Sequence, residues 1–373
     1  MNDIISYIEE YGNKSFKELA FNDVDNLIFS QLVYTDFEGI ISGNSSMSIK
    51  DTAKMFNSFH PNDEIENLIG ISTKSAHLLD ACSKSKRYKN VRVTRYINNV
   101  NGEIDKQFSA VCFELNEHDI VVAFRGTDVT VTGIKESVMI SYMFPVPAQI
   151  EALFYFQETA MRYDGEIRIL GHSKGGNLAV FAGVNCSNSL KKRIVQIYED
   201  DAPGFPAWFF ERYDYKEIKD RIRLITPDGS MIGRMLLHDV APIIIESKNT
   251  GLKQHQVSSW VVEGCELKTA EKYNLLSDVI SDYINQMIDY VGEDDLEVFF
   301  NFLEHIAESC GVEDFYDLKH IELKTILSLI DNISTTDEAL KEQFRKITKK
   351  AFATFTKEFI SEKANHYLKK ENK

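Results

Sequence analysis

"ILGHSKGGNLAVFAG", residues 169–183, is the stretch whose reading decides the fold. It begins as a short apolar strand, turns tightly through Gly171-His172-Ser173-Lys174-Gly175, and continues as a helix. Glycine suits any place where the chain bends sharply or packs closely, so the glycines alone fix no function. What surrounds the turn has to decide it.

Working outward, strand-like and helix-like runs alternate. Before the turn come "VRVTRYIN", "SAVCFELN" and "DIVVAFRG", divided by polar turns. The first two alternate and suit antiparallel pairing, whereas "IVVAF" is continuously apolar, as in a strand buried on both faces. "PAQIEALFYFQETAMRY" (147–163) reads as a helix started by Pro147. After the turn come "RIVQIYED", "RIRLITPD", "PIIIES" and "SSWVVEG", with helix-like stretches between some of them. Such alternation implies an α/β fold: a mostly parallel sheet with helices on both faces. Residues 1–90 read as mostly helical, with "VDNLIFSQLVY" (24–34) capped by Asn22 or Asp23. Three regions are expected: an N-terminal helical segment packed on the core (1–90), the α/β core (91–268) and an all-α C-terminal extension (269–373).

The formal net charge is −15, which disfavours nucleic acid or a bare anionic membrane as a partner for the whole surface. The opening "MNDIISYIEEYGNK" lacks the basic flank and apolar run of a secretory signal. Five cysteines, Cys82, Cys112, Cys186, Cys265 and Cys310, lie far apart, without C-x-x-C or metal-ligand spacing. They suit reduced thiols in a cytoplasmic protein with no metal or organic cofactor. The tail is electrically divided. Residues 278–338 carry 16 acids against two lysines, and residues 341–373 carry 10 Lys/Arg against four Glu. In the last helix Leu340, Phe344, Ile347, Ala351, Phe355 and Phe359 share one face. That face packs on the acidic helices or, as a second reading, gives weak contact with a membrane surface.

G-x-S-x-G is a weak pattern alone, but here a buried strand ends just before it and a helix starts just after it. This is the geometry of a nucleophile elbow. The first turn of the helix aims N–H groups toward Ser173, where an oxyanion would form. A serine needs a base, and the base needs an orienting acid. Asp200, Asp201 and Asp228 end strands downstream. Asp228 closes the strand two on from the elbow and is the preferred acid, with Asp201 assigned to holding the loop "DDAPGFP". Among downstream histidines, His255 lies in a polar loop and is the preferred base, while His238 reads as a packed or surface residue. The expected triad is Ser173–Asp228–His255. Thr127, after the strand "VVAF", and Lys174 would supply the oxyanion N–H groups. Arg125 would hold that loop by bonding a buried acid.

At these residues the chain resembles the class 3 lipases. "VVAFRGT", "ILGHSKGGNLAVFAG", "ITPDGS" and the "QH" before a tryptophan carry the likeness, over about residues 20–265. Lysine and asparagine in G-H-S-K-G-G-N look closer to a largely uncharacterised bacterial branch. The resemblance implies an α/β-hydrolase with Ser173 as nucleophile, Asp228 as orienter, His255 as base, and Thr127 and Lys174 as oxyanion donors. Lys174 stands where those lipases have an apolar residue; its ammonium either favours an anionic head group or points to solvent. Residues 128–147 correspond by position to the lipase lid, and Val138, Met139, Ile140, Met143 and Phe144 would form an apolar flap or pack beneath the loop. The expected function is hydrolysis of a small-molecule or lipid carboxylic ester through an acyl-enzyme. The alternatives are a catalytically silent binding module and a peptidase or amidase on the same scaffold.

Overall fold

The continuously apolar run forms β4 (Asp119–Phe124), buried from Ile120 through Phe124. It is the pivot of an eight-stranded sheet in the computed structural model of the protein. The structure describes residues 2–43, 45–60, 71–101, 106–127, 140, 143–274 and single positions between 277 and 349. The strands lie in sequence order across the sheet. On one side of β4, β1 (Ser46–Ser48), β2 (Arg92–Asn101) and β3 (Lys106–Asn116) are antiparallel. On the other, β5 (Glu166–His172), β6 (Ile194–Asp200), β7 (Ile222–Pro227) and β8 (Ile243–Ile245) run parallel to it. This is an α/β fold with a mostly parallel sheet of the α/β-hydrolase type.

Alternation along β4 sends successive side chains to opposite faces. Val121 and Ala123 join Phe113, Leu170 and Tyr198 in a core with α1 (Ile4–Tyr11), α2 (Asp23–Leu32) and α4 (Ile71–Lys84). Here α3 denotes Ile49–Phe59. The opposite face takes α5 (Pro147–Ala160) and α6 (Lys174–Asn185). In α6 the absence of a side chain at Gly183 brings the helix onto Ile197.

On the face formed by the N-terminal helices, α2 is buried along nearly its whole length, and its Asn26 and Ser30 bond Asp200 at the end of β6. Asn22 and Asp25 close its first turn as a reciprocal capping box. Asp25 is fully buried against the equally buried Arg87, whose Nε donates to Oδ1 at 2.7 Å. The same guanidinium donates to the Leu19 carbonyl at 2.8 Å and lies 4.0 Å from the Phe16 ring. A buried charge pair satisfied on all sides fixes the seat of α2.

One expectation changes. "SSWVVEG" adds no strand to the sheet. Val257–Ser259 is a 3-10 turn, and Val262–Glu263 pairs with Glu266–Leu267, turning through Gly264 at φ 63°, with an isolated bridge from Val262 to Asn2. Within the expected polar loop, His255 ends a 3-10 turn, Gly251–His255. The chain divides into two compact units, residues 1–128 with 144–273 and residues 129–143 with 274–373. The helical tail expected beyond residue 268, its stripe from Leu340 to Phe359, and most of the flap lie outside the described residues. Among the described residues no helix is long and apolar enough to cross a membrane.

Candidate active site

β5 ends at His172 and α6 begins at Lys174, leaving Ser173 alone between them at φ 58°, ψ −135°. An L-residue with positive φ is strained, by about 1–3 kcal/mol, and such strain concentrates at functional sites. The elbow can be this sharp because Gly171 and Gly175 carry no side chains. A Cβ on Gly171 would overlap the Gly175 backbone, and one on Gly175 would overlap the Phe124 carbonyl.

The loop after β4, expected to supply oxyanion donors, lies against the elbow. A Cβ on Gly126 would stand 3.0 Å from Ser173 Cβ and 2.5 Å from the His172 carbonyl oxygen. Thr127 follows it and is buried. Thr127 and Lys174 therefore flank Ser173 from two elements, the end of β4 and the start of α6. The Lys174 ammonium neither reaches solvent nor faces an incoming head group from the surface. Its side chain is fully buried and Nζ donates to the Gln107 carbonyl at 2.6 Å. Arg125 bonds Asn98 Oδ1 at 3.0 Å, so the buried acid expected for it is replaced by a neighbouring amide.

The acid beside His255 is Asp201, where Asp228 was expected. His255 Nδ1 and Asp201 Oδ2 are 2.6 Å apart, with Asp201 wholly buried and His255 about one-fifth exposed. The reason is the step between strands. His172 pairs with Asp200 across β5 and β6, so Asp201 stands on the strand next to the elbow, whereas Asp228 ends the strand beyond. Adjacent strands lie about 4.8 Å apart, and a second step doubles that reach. Asp228 is only partly buried there, and its backbone N–H bonds the Ile245 carbonyl at 2.9 Å. Burial raises its carboxyl above the ordinary value.

Asp201 also has positive φ, 46°, so two adjacent strands end in strained non-glycine residues. The ends are tied: Ser173 N–H bonds the Asp200 carbonyl, and Asp201 N–H bonds the Ile225 carbonyl, each at 2.8 Å. Ser230 Oγ donates to Asp201 Oδ1 and itself accepts from Gly233 N–H at 3.0 Å. Its neighbour Asp200 faces the other way, accepting from Asn26 Nδ2 at 2.8 and 2.9 Å and from Ser30 Oγ at 2.7 Å. Full burial pushes the Asp200 carboxyl up to about 7 despite those donors. Asp200 thus fastens α2 to β6, and Asp201 faces His255.

His238 stands 3.3 Å from the buried Glu199 carboxylate, away from Ser173's partners, in keeping with a packed residue. Phe144 does not form a flap. Its ring packs edge-on against Phe181, Phe205, Trp208 and Phe209. Among the described residues no group of three or more His, Cys, Asp or Glu side chains is placed to hold a metal ion.

Sequence reasoning set Asp201 aside as a loop residue and did not single out His172 or Tyr34, whose Nδ1 and Oη lie 3.1 Å apart. The available signal for Asp201 was an aspartate just past a strand end, a residue type that tolerates left-handed backbone.

Among solved structures the chain is similar to that of M37 lipase, with 13% identity, a TM-score of 0.38, and coverage of 84% of this chain and 99% of that one. It is also similar to Lip2 lipase from Yarrowia lipolytica, with 14% identity, a TM-score of 0.35, and coverage of 69% and 91%. No curated protein matches the sequence. The family described as Mbeg1-like matches residues 82–304, more than half of the 373 residues. The chain belongs to the Mbeg1-like family.

Proposed function

We propose that this member of the Mbeg1-like family is a serine hydrolase that cleaves carboxylic esters through an acyl-enzyme. Ser173 is the nucleophile, His255 the general base and Asp201 the orienting carboxylate. The observation that carries the reading is the 2.6 Å pairing of His255 Nδ1 with Asp201, beside a serine held at positive φ.

With its Nδ1 proton bonded to Asp201, His255 keeps the Nε2 lone pair to take the Ser173 proton as Oγ attacks the acyl carbon. The resulting oxyanion is met by the Thr127 and Lys174 N–H groups, a contribution of roughly 3 kcal/mol per donor. His255 returns the proton to the departing alcohol. Water then repeats the sequence on the acyl-enzyme and releases the acid.

A lipidic acyl group is the finer part of the proposal. Its support is the aromatic wall that begins four residues after Asp201, where Phe205 stacks on Phe209 at 4.1 Å and Trp208 is half exposed. The free, buried thiols Cys82, Cys112 and Cys186 support a reducing compartment, and with it a cytoplasmic location.

A fluorophosphonate probe tests the reading. The expected result is one adduct on Ser173 that is lost in Ser173→Ala. An unlabelled wild-type protein would leave the fold as a silent binding module. Esters graded from acetyl to palmitoyl test the acyl preference. Faster turnover of the longer chains supports the lipidic substrate, and a flat or falling profile removes it.

A further inference from the structure

We propose that His172, the residue before the nucleophile, is a positioning residue that fixes the backbone of His255 through a directed hydrogen-bond relay beginning at Tyr34. The inference rests on the reading of His255 as general base and explains how that base is held.

The direction of the relay follows from the chemistry of its end. His172 Nε2 lies 2.7 Å from the His255 carbonyl oxygen. A carbonyl only accepts, so Nε2 carries the proton and donates. In the neutral ring Nδ1 is then an acceptor, and at 3.1 Å from Tyr34 Oη it receives the phenol proton. Tyr34 directly follows Val33, the residue that caps α2, and is itself buried. A Cβ on Gly126 would overlap its hydroxyl oxygen. One line of contacts therefore joins the oxyanion loop at Gly126, the elbow at His172 and the base at His255.

The rings reinforce the line. The imidazoles of His172 and His255 have centroids 4.3 Å apart at 38°, and Trp260 stands edge-on to His172 at 6.1 Å. Trp260 Nε1 donates to the Gln254 carbonyl at 2.8 Å, while Gln254 Oε1 accepts from Gly229 N–H at 3.0 Å. The 3-10 turn is thus gripped at Gln254 from two sides and at His255 by His172. Among the described residues, that bond from His172 is the one made to the His255 carbonyl.

The elbow histidine must also stay neutral. Its titratable neighbours are His255, Tyr34 and, across the His255 ring, Asp201. In turnover His255 becomes an imidazolium, and a second cation a ring's width away would oppose that. Burial, with the His255 ring as the next cause, pushes His172 well below the ordinary histidine value. A neutral donor holds the base without competing for its proton.

The test uses the full chain and combines histidine-labelled 15N NMR with hydrolysis of a soluble p-nitrophenyl ester. His172 is expected as the Nε2–H tautomer, without titration from about pH 5 to about pH 8. Tyr34→Phe should keep that tautomer, which the His255 carbonyl sets, and shift the Nδ1 resonance as its donor is lost. His172→Leu should lower kcat roughly 10–100-fold, as a misplaced base does. His172→Gln, whose side-chain amide can reach the same carbonyl, should recover most of the loss. A ring that titrates within that range, or that shows the Nδ1–H tautomer, overturns the relay. So does a His172→Leu enzyme with wild-type kcat, or Leu and Gln variants equally impaired with equal losses in Tm. The hydrolase reading fails differently: wild-type protein that neither labels nor turns over overturns that reading, whatever the tautomer.

Discussion

The two ends of the central sheet handle charge and strain in opposite ways. At the N-terminal ends of β4, β5 and β6 lies a cleft of about 600 Å³ lined by Asn116, His118, Asp119, Glu166, Lys192 and Arg193, among others. Its charges are spent on each other and on backbone. Arg168 pairs with Asp119 and stands 3.7 Å from Glu166, and Arg193 donates to the Gly165 and Ala160 carbonyls. None of the residues lining it is a non-glycine at positive φ. At the C-terminal ends, β5 and β6 finish in strained residues, Ser173 and Asp201, and a buried carboxylate faces a ring nitrogen rather than a cation. Paired surface charges mark the first end, and stored backbone strain with converging polar groups marks the second. Strain that the rest of the fold must hold in place, met there by converging polar groups, is what directs the proposed chemistry to the second end.

The sharpest way to break that contrast is to remove the nucleophile at one end and a charge at the other. Ser173→Ala should lower ester hydrolysis roughly 10⁶-fold. Glu166→Gln, in the cleft, should leave kcat/KM within about twofold in the same assay. Next in size is the acid. Asp201→Asn should cost kcat roughly 10⁴-fold by leaving His255 in the wrong tautomer. Asp228→Asn, one strand away, should cost about threefold at most, because it does not touch the imidazole.

Smaller again is the fit between loop and elbow. Gly126→Ala would push a methyl into Tyr34 Oη and the His172 carbonyl, and should reduce kcat roughly 10²-fold by displacing the oxyanion loop. Circular dichroism and Tm would show whether the fold survives it.

The least effect concerns stability against pH. Burial raises the Asp119 carboxyl to about 6, and Asp200 to about 7. Each native group therefore holds its proton more tightly than the unfolded chain does. The contribution is complete below about pH 4 and is lost as pH rises through about 6 and about 7 respectively. Tm should fall over that window from these two groups. Asp119→Asn should flatten its lower part without moving the pH profile of ester hydrolysis, because Asp119 lies at the end without chemistry.

The elbow was legible because everything that defines it is local. A buried strand, two glycines and a helix follow one another in fifteen residues. The F-R-G-T turn was legible for the same reason, since it ends the one run with no polar alternation, β4. The acid was not legible, because choosing Asp201 over Asp228 requires knowing which strand lies next to the elbow and which way each of two consecutive aspartates faces. Asp200 turns to Asn26 and Ser30 on α2, and Asp201 turns to His255. That division is set by packing between segments some 170 residues apart. Lys174 misled for a related reason. A lysine after the nucleophile reads as a surface charge, yet here its side chain is buried and bonds the Gln107 carbonyl on β3. "SSWVVEG" has the composition of a strand, but Trp260 serves instead as a buried support for the turn that carries His255.

In the proposed reading Asp201, through His255, activates Ser173. The most direct measurement is the rate of fluorophosphonate addition to Ser173 in wild-type, Asp201→Asn and Asp228→Asn proteins, followed by intact mass and peptide mapping. The account predicts near-equal rates for wild type and Asp228→Asn, and a rate lower by orders of magnitude for Asp201→Asn. Rapid addition in Asp201→Asn together with loss of addition in Asp228→Asn would contradict it.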